Sequence, residues 1–191
     1  MSSETKEKLT KAALEQIEEV GLAQVTVRGI AARAEANVAT VNYHFGSKAR
    51  LVEVALTSSL VELRTDLDAM TRSFPPDPRA RLVELFCYLL EGSFRYPNVT
   101  RAHLHDMFTS QEKSGPVAEA FAAALPPIAT AIHGAVPGLT PETAMHRAVA
   151  SMSATLLPAF FPGLFVPARN WDSAEVRADY IHEVVAAALG G

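Results

Sequence analysis

The chain has 191 residues, of which 49% are hydrophobic and 20% are charged, and its formal net charge is −4. A chain of this length and hydrophobicity can bury a core, which excludes disorder as its default state. The acidic balance argues against non-specific binding of nucleic acid by the whole surface. Residues 1–50 nevertheless contain seven Lys and Arg against six Glu, so a locally basic site on an acidic body remains compatible with the composition.

The first quarter of the chain is predicted to form three short helices and the start of a long one. Apolar residues recur every three or four positions over 6–20, and Gly21 can end that helix. Three further residues are suitable N-caps: Thr26 for a helix over 26–34, Asn37 for one over 38–44, and Ser47 for a fourth that runs to the FPPDP segment at 74–78.

The rest of the chain also has helical periodicity. Helices are predicted near 79–95, 98–112, 116–134, 141–161 and 173–189, and the one over 116–134 is expected to be interrupted by Pro126 and Pro127. No alternating strand pattern stands out. The fold class is therefore predicted to be all-α.

The helices over 26–34 and 38–44 have the spacing of a helix-turn-helix. In that motif the second helix enters the major groove of DNA with its N-terminal residues against the base edges. An Asn can pair with adenine, a Thr offers a methyl group and a hydroxyl, and a small Ala permits close approach. The candidate base contacts are Val38, Ala39, Thr40 and Asn42, and the candidate phosphate contacts are Tyr43, His44 and Lys48. Phe45 is instead predicted to fill the core between the third and fourth helices.

The segment KLTKAALEQIEEVGLAQVTVRGIAARAEANVATVNYHFGSKARLVEVAL resembles the N-terminal domain of the TetR (tetracycline-repressor-like) family. The positions in register with the family pattern are Gly21, Thr26, Ile30, Ala31, Ala34, Thr40, Tyr43, His44, Phe45, Ser47 and Lys48. Glu35 and Ala36 stand where the family usually has Gly and Val, and Asn42 replaces a frequent aromatic residue. The resemblance implies that Thr26 contacts a phosphate and that Arg28 reaches a base.

The resemblance implies a transcriptional regulator, most often a repressor, with a helix-turn-helix domain over 1–47 and a ligand-binding and dimerisation domain over 48–191. A homodimer would bind a near-palindromic DNA operator, and a small-molecule effector would release it. Helices near 141–161 and 173–189 are expected to form the dimer interface. The uncharged run after Arg147 suggests the same, as do six apolar residues that need a partner surface: Val176, Tyr180, Ile181, Val184, Val185 and Leu189.

An apolar effector cavity is predicted among the helices near 48–72, 79–95, 98–112 and 116–134, which carry many aromatic and Met side chains. The sequence gives no cluster of buried Arg or Lys there, which favours a hydrophobic or aromatic effector over a polyanion. The candidate ligand-binding residues are Met70, Phe74, Phe86, Tyr88, Phe94, His103, Met107, Phe108, Phe121 and Met152.

Two other classes of function remain as alternatives, a small helical enzyme and a helical adaptor that keeps the motif without reading DNA. No GxSxG, HExxH, GxxxxGK or paired-cysteine motif supports an enzyme. His103 and His105 diverge by about 200° around a helix, so we expect no metal site and no cofactor. Glu35 at the DNA-facing turn would repel phosphate, so the helical adaptor remains an alternative.

Cys87 is the only cysteine, which excludes an internal disulfide. The charged N-terminus has no apolar segment of the secretory kind, and we expect a cytoplasmic protein. Residues 148–168 are uncharged but contain three prolines, which favours a buried helix or a subunit interface over a membrane span.

Overall fold

The computed structural model describes residues 2–73, 76–109, 115–165 and 170–190, with the side chains of residues 2, 71–73 and 106–109 outside the description. All regular structure in these residues is helical, which confirms the predicted all-α fold. The helices are α1 Ser2–Val20, α2 Val27–Arg33, α3 Val38–Phe45, α4 Lys48–Ser73, α5 Pro78–Arg95, α6 Pro97–Thr109, α7 Pro116–Ala135, α8 Pro141–Phe160, α9 Pro162–Phe165 and α10 Ala174–Leu189. A 3₁₀ turn over Leu22–Gln24 joins α1 to the segment before α2. None of the helices in the described residues combines the length and the apolar character needed to cross a bilayer.

The chain forms two compact units, one of Met1–Thr65 with Tyr96–Val117 and one of Asp66–Arg95 with Ala118–Gly191. The first unit combines α1, α2, α3 and the first part of α4 with α6, which packs on α1. The second contains the rest of α4, α5, nearly all of α7, and α8 to α10. The boundary between these units does not fall at residue 47. The predicted division into a DNA-binding and a ligand-binding domain is a division by function, and it remains a prediction.

The core of the first unit is built from one apolar face of each helix. Ile17 of α1, Ile30 of α2 and Val41 of α3 are fully buried, and Ala102 of α6 belongs to the same cluster. Phe45 is also buried in this core, as predicted. Burial of each large side chain contributes about 1.5–3 kcal/mol, which fixes α3 against its neighbours and determines which of its faces remains outside.

The core of the second unit lies among α5, α7, α8 and α10. Phe86 of α5 is its largest fully buried side chain, and Ile132 of α7 and Ile181 of α10 are buried with it. Ile181, Val184 and Val185 were expected to need a partner surface, and this expectation is wrong. The three side chains are buried within the protomer, since α10 packs on α5 and α8.

The double proline does not interrupt α7, contrary to the prediction. Pro126 and Pro127 lie inside a continuous helix, on its exposed side. The prolines leave the carbonyls one turn earlier, at Ala122 and Ala123, without helical donors. Both alanines are also exposed, so water can satisfy these carbonyls while the apolar face of the helix continues undisturbed.

Candidate nucleic-acid interface

Helix α3 has one buried face and one exposed face. Val41 and Phe45 anchor it in the core, whereas Val38, Ala39 and Asn42 are exposed. The structure thus places three of the predicted base-contacting residues on the accessible side of the helix, whereas the fourth, Thr40, is half-buried. Gly46, at φ 73°, ends the helix with its amide bonded to the Asn42 carbonyl at 2.9 Å.

The N-terminus of α3 is capped by Asn37, as predicted. Asn37 Oδ1 accepts the backbone amide of Thr40 at 2.8 Å and also the Thr40 hydroxyl at 3.0 Å. Because the hydroxyl donates its only proton to Asn37, Thr40 presents its methyl group and an acceptor oxygen to anything that approaches. The methyl group suits the C5-methyl of thymine, and the oxygen suits an amino group on a base edge.

Tyr43 is the most exposed large hydrophobic residue among the described residues, with 84% of its surface accessible. Its ring meets the half-buried His44 ring edge-on, with 5.2 Å between centroids. The pair presents a phenol and an imidazole beside the exposed face of α3. These are hydrogen-bonding groups of the kind that contact phosphate oxygens.

The entry to α2 is held from α1. The Thr26 amide donates to Gln16 Oε1 at 3.0 Å, and Thr26 Oγ1 accepts the Gly29 amide at 3.0 Å as the predicted N-cap. A Cβ at Gly29 would lie 1.8 Å from Gln16 Nε2, so the glycine makes room for this side chain. Thr26 and Arg28 both remain exposed at the start of the helix.

Lys48 has a structural contact that the sequence did not indicate. Its Nζ donates to the Val25 carbonyl at 3.0 Å, which ties the start of α4 to the segment before α2. The ammonium therefore lies beside the N-terminus of α2. Phosphate contact by Lys48 remains a prediction.

Glu35 adopts a left-handed conformation, with φ 52°, and is the one non-glycine residue with positive φ in the described part of the chain. The Ala36 amide donates to the Ala31 carbonyl at 2.8 Å, and the Glu35 amide donates to the Ala32 carbonyl at 3.2 Å. This is the hydrogen-bond pattern of a Schellman helix end, whose left-handed position usually holds glycine. The turn between α2 and α3 therefore places an L side chain where a glycine would be unstrained.

The acidic residues of α1 neutralise part of the nearby positive charge. Arg33 at the end of α2 pairs with Glu19 and lies 3.8 Å from Glu15. The pKa of Lys8 is raised chiefly by Glu4, with a smaller contribution from the charge of Glu35. The charge of the Glu35 carboxylate thus acts on a cation of α1.

The predicted ligand-binding residues are divided between the two units. Phe86 and Met152 are buried in the core of the second unit, against which Phe94 and Phe121 are packed, while Met70 is half-buried. Phe74 and the side chains of Met107 and Phe108 lie outside the described residues.

Two polar candidates for ligand binding have partners within the protein. Tyr88 donates its hydroxyl to Asp66 at 2.7 Å, and burial, together with this carboxylate, raises its pKa to about 12. His103 Nε2 lies 2.9 Å from Ser59 Oγ. The Ser59 hydroxyl donates its proton to the Leu56 carbonyl, so the neutral His103 carries its proton on Nε2 and donates it to Ser59. Burial lowers the pKa of His103 to about 4.

Two surface depressions of the described residues lie away from these candidates. One in the first unit, of about 280 Å³, is lined by residues that include Val20, Asn98 and Arg101. One in the second unit, of about 320 Å³, is lined by residues that include Asp77 and His182. None of the predicted ligand-binding residues lines either depression.

Two residues that support the interface were missed in the sequence. Gln16 and Glu18 lie in α1 and act on distant segments, the first on Thr26 and the second on Asn98. An acid or amide in the middle of an amphipathic helix has the ordinary pattern of a solvated side chain. No local signal distinguishes these two residues from the other polar residues of α1.

The first unit thus presents a capped helix with an accessible polar face, set against a second short helix: a helix-turn-helix in an all-α chain. A family sequence model, "Bacterial regulatory proteins, tetR family", matches residues 9–55. The chain thus carries the sequence of the TetR family over residues 9–55.

Known relatives are transcriptional regulators rather than enzymes. The "HTH-type transcriptional regulator BetI 2" of Chromohalobacter salexigens is 32% identical over 96 residues, which are 50% of this chain and 44% of that protein. The chain thus spans under half the length of the curated relative that it matches.

Solved structures show the same fold. A protein assigned to the TetR-family regulators of Mesorhizobium loti has a TM-score of 0.74 at 17% identity, with 100% of this chain and 97% of that one covered. Thermus thermophilus FadR, a TetR-family repressor solved with lauroyl-CoA, has a TM-score of 0.58 at 19% identity, with 94% and 93% covered.

Proposed function

We propose that the protein binds a near-palindromic DNA operator as a homodimer and regulates transcription from it. The observation that carries this proposal is the two-faced geometry of α3. Val41 and Phe45 fix the helix in the core, and Ala39, Asn42 and Tyr43 present a small residue, an amide and a phenol outward. These groups match what base edges and phosphates require.

The negative net charge is compatible with this function because a specific contact needs only a local match. Thr26, Arg28 and Lys48 lie at the starts of α2 and α4, where the helix N-termini also favour anions. Phosphate contacts at these termini would orient α3 in the major groove. Base contacts by α3 would then supply specificity.

The exposed face of α8 supports a dimer. Val149 and Leu157 are 45% and 44% exposed, and Ala150 and Ser153 lie exposed between them on the same side. Such an apolar stripe on a helix is stabilised by a partner surface, and a second copy of the chain provides one with two-fold symmetry. The two copies of α3 would then face two half-sites of related sequence.

We also propose that the protein is a repressor that acts in the cytoplasm, and that its effector is a small hydrophobic or aromatic molecule that lowers operator affinity. Support comes from the aromatic and Met residues of α4 to α7 and from the lack of a cluster of basic residues among the candidates. The Thermus repressor with the same fold was solved with lauroyl-CoA, whose apolar acyl chain resembles the proposed effector, whereas its polyanionic CoA portion does not. An effector that binds the DNA-free conformation better would shift the equilibrium away from the operator.

The proposal is tested by a mobility-shift titration with the DNA that flanks the protein's own gene, in the presence of excess random competitor. We expect a complex that survives the competitor and weakens steeply as salt rises, since phosphate contacts release counterions. Apolar compounds that raise the melting temperature should also release the DNA. A folded protein without affinity for any of the flanking DNA would contradict the proposal and favour a helical adaptor.

A further inference from the structure

Helix α6 lies in a different unit from the helices that precede and follow it in the chain. The helices before and after it in the chain, α5 and nearly all of α7, belong to the second unit, whereas α6 belongs to the unit that contains α3. One residue, Tyr96, separates the end of α5 at Arg95 from the start of α6 at Pro97. The first turn of α6 therefore lies directly after the end of α5 in the chain.

The first turn of α6 is held by α1. Glu18 Oε2 accepts the backbone amides of Asn98 at 3.1 Å and of Val99 at 3.0 Å. The Glu18 carbonyl oxygen accepts Asn98 Nδ2 at 2.8 Å. Amides in the first turn of a helix have no partner within the helix, and a carboxylate that accepts them makes charge-assisted bonds with the positive end of the helix dipole. A side chain 80 residues away in sequence thus supplies the cap of α6.

The same turn of α1 also holds α2. Gln16 accepts the Thr26 amide, and Glu19 pairs with Arg33, so the two ends of α2 are bound from positions that flank Glu18. Ile17 is buried between them in the core shared by α2, α3 and α6. This turn of α1 therefore contacts α6 through Glu18, and it contacts the DNA-facing helices through the residues on either side of Glu18.

We propose that Glu18 is the positioning residue that couples α6 to the DNA-facing helices, so that occupancy of the operator and the position of α6 influence each other through its carboxylate. The inference rests on the proposed DNA-binding function. Coupling between two sites is reciprocal in binding free energy. If the position of α6 sets operator affinity, operator DNA must change the stability of α6, which can be measured without knowing the effector.

Amide hydrogen exchange of the full-length protein, with and without a saturating DNA fragment from the flank of its own gene, measures this coupling. In the native protein, we expect DNA to slow exchange in α3 by direct contact and to change exchange over residues 100–105 of α6 by about fivefold or more, the lower end of usual coupling energies. Glu18→Gln keeps the side-chain shape but removes the charge. It should reduce the response of residues 100–105 to less than about twofold while α3 remains protected.

Glu7→Gln is the matched control, because it removes the same charge from α1 at a residue that bonds only to Ser3 among the described contacts. It should respond like the native protein. Asn98→Ala removes the bond to the Glu18 carbonyl and should weaken the α6 response without touching the carboxylate.

Three results would overturn the inference. The first is a native α6 that does not respond while α3 is protected, and the second is a full α6 response in Glu18→Gln. The third is that, in DNA-free Glu18→Gln, the amides of α6 exchange at the rate of an unfolded chain. Glu18 would then be a cap that only keeps α6 folded. If DNA fails to protect α3 itself, the proposed DNA-binding function fails and the coupling fails with it.

Discussion

The ammonium of Lys48 donates a hydrogen bond to the carbonyl oxygen of Val25, 23 residues earlier in the chain. The bond ties the start of α4 to the segment that leads into α2. An ammonium has three donors, so two remain for other acceptors. The contact with Val25 thus holds the cation in place and leaves two donors for the predicted phosphate contact.

We predict that Lys48→Ala weakens binding to operator and random DNA alike, because phosphates carry no base information. The slope of log K against log salt should flatten by about one. Loss of the bond to Val25 should also lower the free energy of unfolding by about 1 kcal/mol. Fluorescence anisotropy over a range of salt concentrations measures the first effect and urea unfolding the second.

Arg50→Ala is the matched control for Lys48, since Arg50 lies in the same turn of α4 and pairs with Glu53 at 2.7 Å. Its salt slope should stay closer to that of the native protein. An unchanged slope in Lys48→Ala would remove Lys48 from the phosphate contacts.

Replacement of Glu35 by Gly should stabilise the protein by about 1 kcal/mol, because a left-handed L residue costs about 1–2 kcal/mol and the greater chain entropy of glycine offsets part of the gain. Glu35→Ala removes the same charge but keeps a Cβ at φ 52°, so it should not be stabilised in this way. Urea unfolding of both variants separates the two effects. An equal gain in both variants would assign the effect to the charge rather than to the backbone.

The dimer interface is tested by Val149→Glu and Leu157→Glu, which place a charge on the exposed face of α8. Both variants should sediment as folded monomers at micromolar concentration and bind the operator more weakly. Val185→Glu should instead unfold the protein, since Val185 is fully buried in the protomer and an unpaired buried charge costs several kcal/mol. Sedimentation velocity and circular dichroism distinguish these outcomes. Dimers that persist in both α8 variants would place the interface elsewhere.

The stability of the first unit should depend on the protonation of His103. Burial lowers its pKa from 6.5 to about 4, so the folded state favours the neutral ring that donates to Ser59. Its contribution is fully present above pH 6.5 and is lost as pH falls towards 4, by up to about 3 kcal/mol. The native protein should lose more stability over this range than His103→Gln does, measured by urea unfolding at each pH.

His133→Gln is the control for this pH dependence, because it removes an exposed imidazole, from α7. Its pH dependence should match that of the native protein. If His103→Gln lost as much stability on acidification as the native protein, the buried imidazole would have no part in the effect.

The helices and their caps could be predicted because their causes are local in sequence. Thr26, Asn37 and Ser47 each accept an amide three residues later, which is a relation within one turn. The exposed face of α3 followed in the same way, from the spacing of its apolar residues.

The contacts that position the interface could not be predicted, because they join residues far apart in sequence. Neither the bond from Lys48 to Val25 nor the cap that Glu18 provides for Asn98 has a local signature. The burial of Val185 could be predicted only in part. The periodicity of α10 indicated that this side chain is buried, but not whether the protomer or a partner buries it.

Whether α3 reads the bases of an operator is measured by the binding of Asn42→Ala and Thr40→Ala to the cognate fragment and to a random duplex of equal length. We predict that each variant loses about 1–3 kcal/mol on the cognate fragment and keeps its affinity for random DNA, because base contacts give specificity and phosphate contacts do not. Equal affinity of the native protein and both variants for the cognate fragment would contradict it, as would an equal loss on both DNAs.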